Sequence, residues 1–322
     1  MGQRGAPPTL IAGLCLGLGA CNGTQSALHP AGQEASDVAG LFWLMTGAGA
    51  VVWIVVMGIT VYAILGRRRP RTERFADRFI LVGGVVFPTV VLADLLVVGL
   101  SLLPAWPEDE APDLRVHVTA EQFWWRVTYD MPDGSAVETA NEIHLPLGTA
   151  EFRIDSPDVI HSFWIPALGG KMDAIPGREN RLRLTATTPG IYRGVCAEFC
   201  GASHALMAFP VVVHEGDGFA DWLRREAEPA TNTADAAVFV ESGCGGCHVI
   251  RGVSEMGSVG PDLTHFGSRR TIGAGTLPNT PANLRLWLAD APAVKPGVHM
   301  PPFATLGDAE LDALVAFLGG LR

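Results

Sequence analysis

Between Ala39 and Gly66 the chain carries no charged residue, and few folds can absorb so long an apolar run. Roughly 20 apolar residues suffice for a helix to cross the hydrocarbon of a bilayer, and Leu41–Leu65 exceeds that length. The pattern repeats from Phe79 to Leu103, broken only by Asp94. The spacing predicts a transmembrane hairpin over 39–104, with helices at about 41–65 and 79–103. Arg67, Arg68, Arg69, Arg71, Arg74 and Arg78 crowd into the connection and its far end. Basic residues stay on the cytoplasmic side of such hairpins, so the short loop is expected inside and both ends outside. Asp94 at bilayer depth is expected either as a neutral, hydrogen-bonded group in a helix–helix seam or as part of a proton path or subunit contact.

Ahead of the hairpin, Arg4 and the apolar stretch from Leu10 to Ala20 have the charge and length of a secretory signal over 1–20. The stretch ends Leu18-Gly19-Ala20-Cys21, which resembles the lipobox of bacterial lipoproteins and implies a lipid on Cys21. Charged residues make up only 17% of the chain, and acidic residues outnumber basic ones, 33 to 23. Most of the acids follow Leu103. That distribution fits an acidic outer surface able to attract a basic protein, and it argues against nucleic acid as a partner.

After Pro104 the chain changes to short alternating segments, among them Arg115–Thr119, Phe123–Thr128, Glu151–Ile154, Arg181–Thr185 and Val211–His214. Val, Ile and Thr are frequent, and Gly, Pro and Asp punctuate the runs. An antiparallel β sandwich or barrel is expected over 112–218. Its chemistry lies between Cys196 and Met207, where Cys196, Cys200, His204 and Met207 bring two thiolates, an imidazole and a thioether within one loop. Such a soft donor set selects copper. Two cysteines four apart can both bridge a pair of metal ions, which one cysteine cannot do. A second imidazole must then come from elsewhere, and the main-chain carbonyl of Glu198 is placed to complete the set. His117, His144 and His214 fall on strand-like segments outside this loop and are expected to be packing or surface residues.

Residues 219–232, rich in charge and alanine and ending near Pro229-Ala230-Thr231-Asn232, read as a linker. The rest, 233–322, carries Cys244-Gly245-Gly246-Cys247-His248, the attachment motif for a c-type haem. The two cysteines supply thioethers, and His248 is placed to bind the iron. Asp308 to Leu321 reads as an amphipathic helix with Leu311, Leu314, Val315 and Leu318 on one face.

Two resemblances follow from these residues. Val159-Ile160-His161, followed by Cys196-x3-Cys200-x3-His204-x2-Met207, resembles the binuclear copper (CuA) signature of cytochrome c oxidase subunit II, and Asp158–Arg178 (DVIHSFWIPALGGKMDAIPGR) agrees closely with that family. The resemblance implies a cupredoxin-like fold, two copper ions, and His161, Cys196, Glu198 (main-chain carbonyl), Cys200, His204 and Met207 as ligands. It also implies a magnesium ion shared with subunit I through the Glu198 side chain. Gly260-Pro261-Asp262-Leu263 resembles the loop that buttresses the proximal histidine in class I c-type cytochromes. In that family Met300, within His299-Met300-Pro301-Pro302-Phe303, takes the sixth position on the iron. His265, His299 and Met256 are the alternatives. A thioether opposite histidine raises the reduction potential, as electron transfer requires.

Taken together, the chain resembles subunit II of a bacterial haem–copper oxidase with a cytochrome c domain fused at its C-terminus. The fold class expected is multidomain: a two-helix transmembrane hairpin, a β sandwich or barrel of cupredoxin type, and an all-α cytochrome c domain. The resemblance implies oxidase subunits I and III and a soluble or membrane-bound cytochrome c donor as partners. It places the chain in the bacterial inner membrane, with both large domains outside and the oxygen chemistry in subunit I. Two departures bear on function. Phe123, in Gln122-Phe123-Trp124-Trp125, stands where mitochondrial-type members place the tryptophan that receives electrons. The acidic residue at the start of the second membrane helix has no clear equivalent beyond Glu73 or Asp77.

Several rivals lose on residues. A thioredoxin-like copper chaperone would lack His204 and Met207 and would show βαβ patterning. Nitrous oxide reductase needs a propeller for which there is no room, and a quinol oxidase subunit II lacks the copper ligands. A membrane-tethered electron carrier and a CuA-type nitric oxide reductase subunit remain as alternative functions.

Overall fold

The structure is a computed structural model that describes residues 23–66, 72–102, 112–131 and 133–322. The expected signal segment, Cys21, and Arg67 to Arg71 lie outside the described residues. The chain divides into two compact units, one of residues 37–111 and one of the remainder.

The smaller unit holds the two apolar runs as helices, α1 (Gln33–Leu65, whose first residues belong to the larger unit) and α2 (Glu73–Ser101). Both are long and apolar enough to cross a membrane, and their large apolar side chains point outward, from Trp53 and Leu65 on α1 to Val97 on α2. Surfaces of that kind require lipid or another chain to cover them. Even their hydroxyls are satisfied within the helix: Thr46, Thr60 and Thr89 donate to the carbonyls of Phe42, Val56 and Val85 at 2.8, 2.8 and 2.7 Å. Apolar surroundings demand this of any polar group. Within α2, Val82–Val86 widens into a π-turn. Pro88 has no amide hydrogen to give the preceding turn, and Gly83 and Gly84 have no side chains to hold its register. Asp94 is exposed on α2 among the described residues.

In the larger unit ten strands form two five-stranded sheets. The first runs β3 (Ala136–Ala140), β2 (Trp124–Asp130), β1 (Leu114–Glu121), β5 (Gly148–Asp155), β8 (Asn180–Ala186). The second runs β4 (Ile143–Leu145), β10 (Ala208–Val213), β9 (Gly190–Cys196), β6 (His161–Trp164), β7 (Lys171–Ala174). Pairing is antiparallel except for β1 with β5 and β4 with β10. Strict alternation of burial along β1 and β2 shows why these sequences make strands: Val116, Val118, Trp125, Val127 and Tyr129 point into the core, and their neighbours do not. From the other sheet Phe163 and Phe209 stack at 5.1 Å, and Trp125 meets both edge-on. Within Phe123–Trp125, Trp125 is fully buried and Phe123 nearly so, while Trp124 is only partly buried, with the Arg126 guanidinium over its ring.

The expected linker 219–232 begins as a helix, α3 (Gly218–Ala227). Phe219 and Trp222 lie against Tyr129 of the sandwich, at 6.1 and 5.2 Å between ring centroids. The C-terminal domain then assembles α4 (Ala237–Glu241), a short hairpin of β11 (Thr271–Ile272) and β12 (Leu277–Pro278), α5 (Pro281–Ala289), α6 (Ala291–Val294) and α7 (Asp308–Gly320). Its core gathers Phe239, Ile250, Leu263, Leu284, Leu288, Leu311, Leu314, Phe317 and Leu318. Contact between α4 and α7 runs through Phe239 and Phe317, whose rings lie 6.0 Å apart.

Candidate functional site

At one end of the second sheet, three adjacent strands deliver the soft donors. His161 opens β6, Cys196 closes β9, and Met207 immediately precedes β10. Register places Phe163 opposite Cys196, which carries the His161 imidazole toward the Cys196 sulfur. Between β9 and β10 the chain folds a tight loop. Cys196 N–H donates to Met207 O at 2.8 Å, Ala197 N–H to Ser162 O at 2.8 Å, and His204 N–H to Gly201 O at 3.1 Å. Gln122 Nε2 donates to Cys200 O at 2.5 Å from the first sheet. Gly201 sits at φ +127°, and a Cβ there would press on Gln122 and the Phe123 ring at 3.1 Å. The loop is pinned from both sheets and requires glycine at that point.

Five expected donor side chains and the Glu198 carbonyl meet there. Cys196 Sγ lies 3.8 Å from Cys200 Sγ, 3.9 Å from His161 Nδ1 and 3.2 Å from Glu198 O. Cys200 Sγ lies 3.7 Å from His204 Nδ1 and 3.9 Å from Met207 Sδ. Both cysteines are free and buried. Two ligands bound to one metal at roughly 2.0–2.3 Å each stand a little under about 4 Å apart. The donor spacing therefore fits metal held between these atoms, and the soft donor set fits copper.

The sulfur pair is electrostatically matched to that role. The Cys200 thiol beside it, and behind that His161, hold Cys196 down to about 3, while the resulting negative sulfur pushes Cys200 up. One sulfur of the pair is thereby favoured as the thiolate, the form in which cysteine binds metal. Behind the histidine, Asp158 Oδ1 accepts from His161 Nε2 at 2.9 Å, leaving Nδ1 to face the sulfurs. Asp158 also receives Val159 N–H at 2.6 Å and Gln122 N–H at 2.7 Å. The Glu198 side chain points elsewhere, half-exposed, with Lys171 Nζ at 3.8 Å. Beside the cluster an open depression is lined by Val159, Ile160, Asp173, Glu198, Phe199 and Gly201, with Phe199 strongly exposed.

The other histidines stand apart. His117 lies 3.4 Å from Asp130, and His144 stacks on Trp222 at 4.0 Å while contacting His214 at 2.8 Å and Glu142 at 2.8 Å. Burial, with His144 and Arg225 adding to it, pushes His214 down to about 4.

In the C-terminal domain Cys244 opens a short 3-10 turn after Gly243, itself at φ +77°. Cys244 is half-buried and Cys247 exposed. His248 Nδ1 donates to Pro261 O at 2.8 Å, which frees Nε2 to act as a ligand. Burial holds His248 below its ordinary value and so keeps it neutral. The backbone approaches the ring closely: a Cβ on Gly260 would lie 2.5 Å from His248 Cε1, and one on Gly257 2.5 Å from His248 N. Gly260 N–H donates to Cys247 O at 2.8 Å, tying the Gly260–Leu263 loop beneath the motif. This cradle fits a covalently held haem with His248 as one axial ligand. Met300 packs against the same apolar cluster as Cys244. Of the alternatives, His265 is buried with Nε2 bonded to Glu228 O at 3.0 Å, while His299 and Met256 are exposed.

Four further residues lie against the metal loop or its surroundings: Asp158 and Gln122 through the bonds above, Ser203 through Pro296 O and Lys295 through Leu206 O and Phe123 O. In the sequence Asp158 stands out only as part of the family stretch, and the other three carry no local signal.

Comparison with known proteins agrees with both halves. Residues 115–215 match the family model "Cytochrome C oxidase subunit II, periplasmic domain", and residues 234–322 match "Cytochrome c". Cytochrome c oxidase subunit 2 of Alkalihalophilus pseudofirmus is 34% identical, over 96% of this chain and 95% of the relative. That of Bacillus subtilis is 32% identical, over 92% of each. A crystal structure of the periplasmic domain of subunit II from Bradyrhizobium japonicum covers 36% of this chain and 95% of its own length, at 32% identity and a TM-score of 0.34. With nearly its whole length aligned to such relatives and both domains matched, the chain belongs to the cytochrome c oxidase subunit II family, in a form that carries its own cytochrome c domain.

Proposed function

We propose that this chain is the electron relay of a haem–copper terminal oxidase. It takes electrons from a cytochrome c donor and hands them to subunit I, where oxygen is reduced to water with proton pumping. Cys244, Cys247, His248 and Met300 would hold one covalent haem. His161, Cys196, the Glu198 carbonyl, Cys200, His204 and Met207 would hold two copper ions, and the Glu198 carboxylate, half-exposed at the rim, would reach a magnesium ion shared with subunit I. Both groups supply one-electron redox chemistry when bound.

The chain's own residues supply rigidity and placement. Both cysteines lie in one loop pinned by Gln122, Ser162 and Met207, so the ligands move little when charge changes. Asp158 and Pro261 fix the tautomers of His161 and His248. Phe199 and Ile160, exposed beside the sulfurs, give subunit I an apolar face to cover. The two apolar helices anchor the chain in what we take to be the bacterial inner membrane, with both large domains on the periplasmic side and, where the signal is processed, a lipid on Cys21. A single observation carries the reading: His161, from a separate strand, and the five donor positions of the Cys196–Met207 loop meet in one cluster, in a chain that also builds a haem cradle.

The test is purification from membranes. The expected result is a complex in which this chain copurifies with a haem-bearing subunit I and consumes oxygen with reduced cytochrome c as donor. Recovery of the chain alone with both cofactors would make it a tethered carrier, and turnover of nitric oxide but not oxygen would make it a reductase subunit. Either would overturn the proposal.

A further inference from the structure

Lys295 is treated by the fold as a core residue: its side chain is 1% exposed. Burial of an ammonium is costly, and here it pushes Lys295 down to about 7. The ammonium has three N–H bonds and no acceptor, and each finds a main-chain carbonyl: Phe123 O at 2.7 Å, Leu206 O at 2.9 Å and Gly273 O at 2.7 Å. Phe123 and Leu206 belong to the β sandwich, and Gly273 lies in the hairpin of the C-terminal domain. The tripod therefore spans two domains.

What it joins is specific. Leu206 stands between His204 and Met207 in the metal loop. One residue before His204, Ser203 Oγ donates to Pro296 O at 2.6 Å, and Pro296 follows Lys295 directly. Gly297 comes next, where a Cβ would meet the Phe123 ring at 3.1 Å. Met300 is three residues further on. On the other side of the seam Ala208 N–H donates to Ala274 O at 2.9 Å, and Thr276 Oγ1 to Leu206 O at 3.2 Å. The segment leading to Met300 and the loop holding His204 and Met207 thus share one hydrogen-bonded seam, with Lys295 at its centre.

Two domains joined through a linker move relative to one another unless an interface prevents it. We propose that Lys295 is a positioning residue, which locks the Met300 segment against the metal loop so that the haem and copper sites keep one fixed separation. The inference rests on the assignment of those residues as ligands under the proposed function. Thr276 Oγ1 lies 3.2 Å from Leu206 O and 2.6 Å from Gly273 O, but its single hydrogen serves only one of them at a time. Phe123 O depends on Lys295, so loss of the ammonium strips the buried carbonyl that belongs to the sandwich.

The experiment uses the membrane-purified complex with Lys295→Met, which keeps length and apolar bulk but removes all three donors, and Ser203→Ala as a milder second variant. Hydrogen exchange is read at the seam, above all at the Ala208 amide, and in β1 and β2. Electron transfer between the two centres is timed after photoreduction of the haem. The expected result for Lys295→Met is about tenfold or greater loss of seam protection, the scale set by an unsatisfied buried carbonyl. The electron-transfer rate should fall as well, while strand protection, haem absorption and the copper EPR signal stay as in the parent. Ser203→Ala should move both readouts the same way by less. Unchanged protection and rate in both variants would overturn the proposal. So would loss of strand protection in step with the seam, which would make Lys295 a general prop of the fold. Seam loosening with an unchanged rate would refute positioning but leave the functional reading intact. A parent complex without haem and copper signals would defeat that reading, and this inference with it.

Discussion

Asp158 offers the sharpest test of how the metal loop is held. His161 is fully buried, and its Nε2 has Asp158 Oδ1 at 2.9 Å, so the carboxylate determines that Nδ1 faces the sulfurs. The same carboxylate accepts Val159 N–H at 2.6 Å and Ser156 Oγ at 3.1 Å through Oδ1, and Gln122 N–H at 2.7 Å through Oδ2. Asp158→Asn keeps one acceptor oxygen but loses the charge and leaves a donor short. Hydrogen bonds to a charged group are about twice as strong as neutral ones. Asp158→Ala removes every acceptor and leaves a buried imidazole N–H unpaired. Carboxylates behind a ligating histidine typically contribute 10–100-fold to metal affinity. Copper affinity should fall about tenfold for Asn and about a hundredfold for Ala, the two ends of that range. These losses correspond to about 1.4 and 2.8 kcal/mol. Competition of the purified protein with a copper chelator reads the affinity, and the haem absorption serves as an internal control that should not change. Affinity within about twofold of the parent in both variants would refute this orienting role.

Other expectations follow from single contacts. The buried Glu151 carboxyl is raised by burial, but hydrogen bonds from Arg183 at 2.8 Å and Arg115 at 3.4 Å outweigh that and hold it below the usual range. A carboxylate depressed in the fold stabilises above its unfolded value, and that stabilisation is lost as pH falls through the folded one. Glu151→Gln should therefore cost about 3 kcal/mol at neutral pH, and denaturant melts below about pH 4.5 should show the difference shrinking; a pH-independent difference would contradict this. His214, held neutral by burial, works in the same pH direction, since the unfolded chain binds the proton first: stability should drop as pH falls from 6.5 toward 4. His214→Gln should flatten that limb of the melting curve. Gly260→Ala would put a methyl group against the His248 ring and displace it from Pro261 O. We expect thioether-bound haem with altered axial ligation in the absorption spectrum, and copper binding as in the parent.

Much of this arrangement was legible because its determinants are local. Alternation along Leu114–Glu121 told of one buried face, and the donors from Cys196 to Met207 sit within a single loop whose chemistry is visible in their residue types. His161 needed the family resemblance, since strand register brings it to the sulfurs. Lys295 was not legible at all. It follows Ala-Pro-Ala-Val as an ordinary surface lysine would, and its acceptors are carbonyls, which every residue possesses. The helix Gly218–Ala227 was hidden for another reason: Arg224, Arg225 and Glu226 dominate its composition, while Phe219, Trp222 and Leu223 form the stripe that packs on the sandwich.

We propose above that Cys196 and Cys200 share a pair of copper ions in a chain that also carries one haem. Metal and haem analysis of the purified protein, combined with EPR, tests it most directly. Two coppers per haem are expected, with a hyperfine pattern from one unpaired electron spread over two equivalent copper nuclei, abolished in Cys200→Ser while the haem spectrum persists. One copper per haem with a single-nucleus pattern, or full copper retention in Cys200→Ser, would contradict it.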